Sequence, residues 1–392
     1  MEYLKRAMEI QAEVVANRRY LHQHPELGHN LDNTVRFVKE KLTEMGYAPA
    51  DCGDHGIVAL AGGKKPGKCI LIRADMDALP MKEESGLEFS SLTDSAAHTC
   101  GHDTHTAMLL GAAKLLKEME DEIPGTVKLM FQPAEEMCTG ADSMLKAGVL
   151  ENPHVDAAFG IHIFAAVPAG VLVYGTGPML SSADIFEITV KGKGGHGSMP
   201  NDTIDPVMVG AHILTALESI NSREIAPDSF GVLTIGCFQG GSKFNVIPDT
   251  AVMGGTIRTF DSGVREFMKK RLVEIAEGTA KAYRAEATVE FSGQTGAVVT
   301  DKDVARIVGE SVAAAVGAPR VIGNFKPVAG SEDFGYVTNE VPSTFFGLGG
   351  CPKDYPPYPQ HSPNIRFNED AFPIGVAAYV SGAIGWLQSQ AE

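Results

Sequence analysis

Apolar residues along this chain come in short runs, each closed by a turn or by polar groups. Cys69-Ile70-Leu71-Ile72 follows a Gly/Lys/Pro turn at 62–68 and stops at Arg73-Ala74-Asp75-Met76-Asp77. From Thr104 to Met119, the residues Met108, Leu109, Ala112, Leu115, Leu116 and Met119 recur with helical period. Thr126–Phe131 reads as the next strand, broken by Gln132-Pro133 just before Glu135, and 155–163 reads as another. Strand–helix–strand alternation predicts an α/β sheet with parallel components, in which ligands bind beyond the carboxyl ends of the strands. Asp75, Asp77, Glu135, Glu136 and His162 all fall at or near those ends.

The middle of the chain has a different rhythm. Strands are predicted over 183–190, 231–237, 250–258 and 287–291, with helices over 204–219 and 263–282. The order βαββαβ is the ferredoxin-like arrangement, and Gly-rich turns at 175–178 and 292–293 frame it. An inserted domain is therefore expected at 183–292. A catalytic domain is expected from 1–182 and 293–392, with late helices near 303–316 and 371–387. The N-terminus, MEYLKRAMEIQAEVVANRRYLHQHPEL, alternates charged and apolar positions and predicts one amphipathic helix, not a signal peptide. No segment reads as the roughly 18 apolar residues of a membrane span.

Charge narrows the partners. The chain holds 33 basic and 49 acidic residues, a net charge of −16, and no basic run longer than Lys269-Lys270-Arg271. Such a balance argues against binding a phosphate backbone, so neither nucleic acid nor a membrane is expected as a partner. The six cysteines have no disulfide-framework spacing and no CxxC. Without an export signal they read as reduced, and the protein as cytoplasmic.

Cys100 stands apart because of its neighbours. Separated by one residue, Cys100 and His102 can be turned toward one point by a tight loop, and a thiolate is a strong ligand for zinc and other borderline metals. His105 completes an HxxH at a helix start, where a polar cap or a solvent-facing ring is the expected role. Of the adjacent Glu135 and Glu136, one can ligate a metal while the other, its pKa raised by limited solvation, takes a proton from water. His162 lies between Ile161 and Ile163, as a core histidine or a ligand. His361 lies in the Pro-rich segment 355–363, as an exposed residue or a ligand.

Together, RADMDALPM (73–81), HTCGHDTHTAMLLGAA (98–113), FQPAEE (131–136), GKGGHGSMP (192–200), NVIPD (245–249) and AGSEDF (329–334) occur in order. In these motifs the chain resembles the amidohydrolase branch of the aminoacylase/carboxypeptidase G metallopeptidase family, which includes hippurate hydrolases and indole-acetyl-amino-acid hydrolases. The likeness runs from about Arg19 to the C-terminus. It implies a metallopeptidase-like catalytic domain, with a central mixed sheet flanked by helices, and an inserted lid and dimerisation domain.

The resemblance also implies two divalent ions per chain, of zinc, manganese, cobalt or nickel. Cys100 would bridge them, Glu136 and His361 would complete one shell, and His102 and His162 the other. Glu135 would be the general base. The wider family places a ligand His two residues before an Asp after the first strand, whereas this chain has Asp75 before Asp77. His196 resembles a residue that reaches a neighbouring active site across a dimer and steadies the carbonyl oxyanion. Asn245 and Arg258 match positions that hold the substrate's carboxylate or oxyanion, although Asn245 also reads as a turn residue and Arg258 as a strand-end charge. The expected reaction is hydrolysis of an N-acyl amino acid, a small molecule carrying an acetyl or aromatic acyl group. A dipeptidase or aminopeptidase is the alternative on the same site, and a non-catalytic metal-dependent binding protein the competing class.

Overall fold

The computed structural model describes residues 2–391. The chain divides into two compact units, one of residues 1–179, 298–327 and 333–392, the other of 180–297 and 328–332.

The first unit is built on an eight-stranded mixed sheet. Its strands are β1 (Ala50–Asp51), β2 (Ile57–Gly62), β3 (Cys69–Asp75), β4 (Thr126–Gln132), β5 (Ala157–Phe164) and β6 (Leu172–Tyr174), then β11 (Val321–Ile322) and β12 (Ser343–Gly349) late in the chain. Their spatial order is β1-β2-β4-β3-β5-β12-β6-β11. The four central strands run parallel. They are buried almost end to end, as a sheet covered on both faces requires.

The helices of this unit include α1 (Tyr3–Glu9), α2 (Gln11–Gln23), α3 (Asp32–Glu44), α4 (His102–Glu118), α7 (Lys302–Val316) and α8 (Phe372–Ser389). The single N-terminal helix expected from the charge pattern is two, because the backbone leaves helical geometry at Ile10, whose side chain is buried in the core. One helix, Glu369–Ser389, does have the length and apolar composition of a membrane span, contrary to the sequence reading. It is almost wholly buried against α7, α4 and α1, which accounts for its composition as that of a core helix.

Lys128 shows how strictly this interior is satisfied. It is 3% exposed, and its ammonium donates to the carbonyls of Val149, Glu151 and Pro153 at 2.9, 2.8 and 2.9 Å. Lys128→Met would strand those three acceptors together. We expect a loss of about 2–4 kcal/mol in urea unfolding, since each unmade buried bond costs about 1–3 kcal/mol and partial relaxation offsets some of it.

The second unit contains β7 (Ala183–Lys191), β8 (Gly231–Gly240), β9 (Thr250–Thr259) and β10 (Glu286–Thr295), with α5 (Pro206–Ser219) and α6 (Ser262–Ala282). The sheet order is β8-β9-β7-β10 with every neighbour antiparallel, so the two βαβ halves interleave. Burial alternates along β7 and β10, with Phe186, Ile188 and Val190 turned to the helices. Asp205 caps α5 by accepting from the N–H groups of Val207 and Met208, and Asp261 caps α6 at Val264.

Candidate metal centre

Two strand ends, a helix start and a loop of the first unit bring six of the sequence-selected residues together. Glu135 and Glu136 follow β4, His162 lies on β5, and Cys100 and His102 sit at the start of α4. His361 comes from the loop after β12, where its N–H donates to the Thr99 carbonyl at 2.9 Å, beside Cys100. Gly101 makes the turn possible. Its φ is +109°, and a Cβ there would lie 2.6 Å from Ile163 Cγ2 and 3.0 Å from Phe367 Cζ.

The donors converge in two overlapping groups. Cys100, His102 and His162 present ligand atoms within 4.8 Å of one another, as do Cys100, Glu136 and His361. Cys100 Sγ stands 3.4 Å from His162 Nε2, and His361 Nε2 stands 3.5 Å from Glu136 Oε2. Cys100 alone belongs to both groups. Glu135 joins a third, with His102 and Glu136.

Hydrogen bonds to the far nitrogens decide which ring atom faces the cluster. His102 Nδ1 donates to the Asp77 carbonyl at 2.9 Å, and His162 Nδ1 to the Ile163 carbonyl at 2.7 Å. Each ring is thereby left with Nε2 as its free ligand atom, the outer-shell arrangement usual for metal-binding histidines. His102 Nε2 and Glu136 Oε1 are buried without hydrogen-bond partners. Orphaned buried polar atoms are costly unless something meets them. A set of one sulfur, three imidazole nitrogens and a carboxylate suits zinc and other borderline divalent ions.

The electrostatics also favour a cation. Burial works to lower His102, yet Asp75 and Cys100 outweigh it and hold the imidazole well above its usual range. Burial pushes the Glu136 carboxyl up to about 7, with Asp77 and Asp75 adding and His102 opposing, and it also drives the Cys100 thiol well up. Burial, reinforced by His105, keeps His162 well below the ordinary imidazole range and therefore neutral.

His105 departs from the sequence reading. It is neither a cap nor solvent-facing but fully buried, because the first turn of α4 is covered on all sides where it meets the sheet. Three further residues had no role assigned from sequence. Asp77 accepts from the backbone N–H groups of Glu135 and Glu136 at 3.0 and 3.2 Å, fixing the carboxylate pair. Arg73, wholly buried, donates to Asp75 at 2.8 Å and to Asp333 at 3.1 Å. Asp333 in turn donates its N–H to Glu135 Oε1 at 3.3 Å. The available signal was position, since Arg73 and Asp77 lie in a motif directly after the apolar run 69–72 and Asp333 lies in the motif AGSEDF.

His196, Asn245 and Arg258 lie in the second unit. His196 and Asn245 are neighbours, with the Gly197 N–H donating to the Asn245 carbonyl at 2.9 Å and His196 pairing with Val246. His196 Nδ1 accepts from the Ser198 N–H at 3.2 Å, so the neutral ring carries its proton on Nε2. Arg258, on β9, is half-buried, and its Nη1 is buried with no hydrogen-bond partner.

The model of peptidase family M20/M25/M40 matches residues 71–383. Among curated relatives, the chain is 37% identical over 386 residues to thermostable carboxypeptidase 1 of Saccharolobus solfataricus, covering 96% of each chain. It is 37% identical over 383 residues to IAA-amino acid hydrolase ILR1-like 4 of Arabidopsis thaliana, covering 95% of this chain and 86% of that one. Among solved structures, the YXEP protein of Bacillus subtilis, described as a dinuclear metal-binding peptidase, aligns with a TM-score of 0.82 at 32% identity, over 97% of this chain and 99% of that one.

Proposed function

The chain belongs to peptidase family M20/M25/M40, and within that family we propose that it hydrolyses the amide bond of N-acyl amino acids, giving a carboxylic acid and a free amino acid. It is a metal-dependent amidohydrolase. The observation that carries the hydrolytic reading is a buried carboxylate, Glu135, set beside the orphaned His102 Nε2 and Glu136 Oε1. A base next to ligand atoms with no other partner is the equipment for directing water at a carbonyl.

Two divalent ions, with zinc, manganese, cobalt or nickel as candidates, would be held by Cys100, which both donor groups share, together with Glu136 and His361 in one group and His102 and His162 in the other. When bound, the ions supply Lewis acidity to the attacking water and to the scissile carbonyl. Glu135 takes the water's proton and returns it to the leaving nitrogen, so that the amine departs neutral. Asp77 holds the two glutamates in register through their N–H groups. His196 Nε2–H would serve a neighbouring active site across a dimer as a donor for the developing oxyanion, and Asn245 would add a second polar contact to the substrate. The orphaned Arg258 Nη1 favours an α-carboxylate partner, which a guanidinium binds in a two-pronged hydrogen bond.

The test is a screen of N-acetyl, N-aroyl and indole-acetyl amino acids against dipeptides, with the metal-stripped protein reloaded by each ion. Faster turnover of dipeptides than of every N-acyl substrate would replace this reading with a peptidase. Arg258→Ala should slow N-acyl amino acids about ten- to a hundredfold in kcat/KM, the loss of a charged hydrogen bond of about 1.5–3 kcal/mol. The matching acyl amides, which lack a carboxylate, should be nearly unaffected.

We further propose that the inserted βαββαβ domain, residues 183–292, serves as lid and homodimer contact, and that the protein is cytoplasmic. For the dimer, strand β8 is paired on one side only among the described residues and carries neither charge nor proline, leaving an edge able to accept another strand. Sedimentation equilibrium reads that mass directly. For the compartment, none of the six cysteines is joined in a disulfide.

A further inference from the structure

Asp75, His102 and His105 present ligand atoms within 4.8 Å of one another, all buried, and so by composition resemble one more cation site. The hydrogen bonds exclude His105 from ligation. Its Nδ1 bonds to Asp75 Oδ1, while its Nε2 accepts the backbone N–H of Ile163 at 2.8 Å. A neutral imidazole has one N–H and one lone pair, and both are spent. Asp75 is equally engaged, since its second oxygen accepts from Arg73 Nη1 at 2.8 Å and its backbone carbonyl accepts from Thr106 Oγ1 at 2.6 Å.

The Ile163 N–H needs such a partner. Strand β3 pairs with β5 only as far as Arg73 opposite Gly160, and Ile163 lies three residues beyond that point. A buried backbone donor left without an acceptor is costly, and the His105 ring stands where the strand partner has ended. The peptide so held is the one that joins His162 to Ile163. The Ile163 carbonyl in turn takes the His162 Nδ1–H at 2.7 Å. The ring of His105 also packs edge-on against that of His162, with centroids 4.6 Å apart at 66°. His162 also stacks on Phe164, with centroids 4.7 Å apart at 25°, and meets His102 edge-on at 6.0 Å, but His105 alone both packs against its ring and holds the backbone of the residue whose carbonyl takes its Nδ1–H.

We propose that the pair Asp75–His105 is a positioning device, anchored by Arg73, that aims His162 Nε2 at the metal centre. The position two residues before Asp77, which carries a ligand histidine in the wider family, thus orients a ligand in this chain without being one. The inference rests on the assignment of His162 as a ligand. It makes His105 indispensable to one ion and of little consequence to the other.

The experiment is cobalt(II) titration of the full-length, metal-stripped chain, followed by chelator competition and the visible spectrum. His105→Leu removes donor and acceptor together, and should raise the dissociation constant of one cobalt equivalent by about 10–100-fold, the usual effect of losing an outer-shell partner. The other equivalent, with its thiolate charge-transfer band from Cys100, should stay. His105→Gln supplies an amide N–H for Asp75 and a carbonyl for Ile163, and should recover most of the affinity. Wild-type affinity for both equivalents in His105→Leu would overturn the proposal, as would equal losses in the Leu and Gln variants when circular dichroism shows both folded. A wild-type chain that binds no cobalt would instead overturn the metal reading itself.

Discussion

Glu135→Gln is expected to lower kcat by about 10²–10⁴-fold, the usual cost of removing a general base, while leaving metal content and KM close to those of the unaltered protein. Glutamine keeps the shape of the side chain and an oxygen to accept the Asp333 N–H, which meets Glu135 Oε1 at 3.3 Å. It also keeps the backbone bond from the Glu135 N–H to Asp77. What it loses is the ability to accept a proton from water and return it to the amine. Steady-state kinetics on an N-acyl amino acid, with metal measured on the same sample, decides the matter. Turnover within a few-fold of the unaltered protein, with both ions present, would remove Glu135 from the mechanism.

Cys100→Ala should weaken both ions together, by more than the about 10–100-fold that an outer-shell change costs. Cys100 is the one residue shared by the two donor groups, one completed by His102 and His162 and the other by Glu136 and His361. His361→Ala should chiefly release one ion, because His361 belongs to a single group. Elemental analysis after dialysis against a chelator separates the outcomes. Two tightly held ions in Cys100→Ala would end the bridging assignment. Ligation through sulfur also makes the centre sensitive to oxidants, since a sulfinate no longer offers the same donor.

The legibility of this chain in its sequence varied from element to element. Strands β3, β4 and β5 were visible as apolar runs because a sheet covered on both faces needs them uninterrupted. The second unit was visible for the opposite reason, its strands alternating as a half-covered antiparallel sheet does. Strand β12 was missed, since Ser343-Thr344-Phe345-Phe346-Gly347-Leu348-Gly349 is short and glycine-bearing and owes its central place to neighbours on both sides. Strand β1, two residues long, is likewise too brief to separate from loop, whereas helix α3 and strand β2 carried apolar patterns that went unread. The apolar character of α8 could be weighed correctly only once its burial was known.

The site divides along the same line. Residue type and order marked Cys100, His102, Glu135, Glu136, His162 and His361 as candidates, because the chemistry of a thiolate, an imidazole or a carboxylate belongs to the side chain itself, and the family resemblance implied which of them would be donors and which the base. Which nitrogen of each histidine is free, and which carboxylates are spent on orientation, was decided only in three dimensions. His105 meets Ile163 across 58 residues of sequence, His102 meets Asp77 across 25, and Arg73 meets Asp333 across 260. A hydrogen bond's effect depends on the partner and its geometry, and the chain specifies those partners only by packing one element against another.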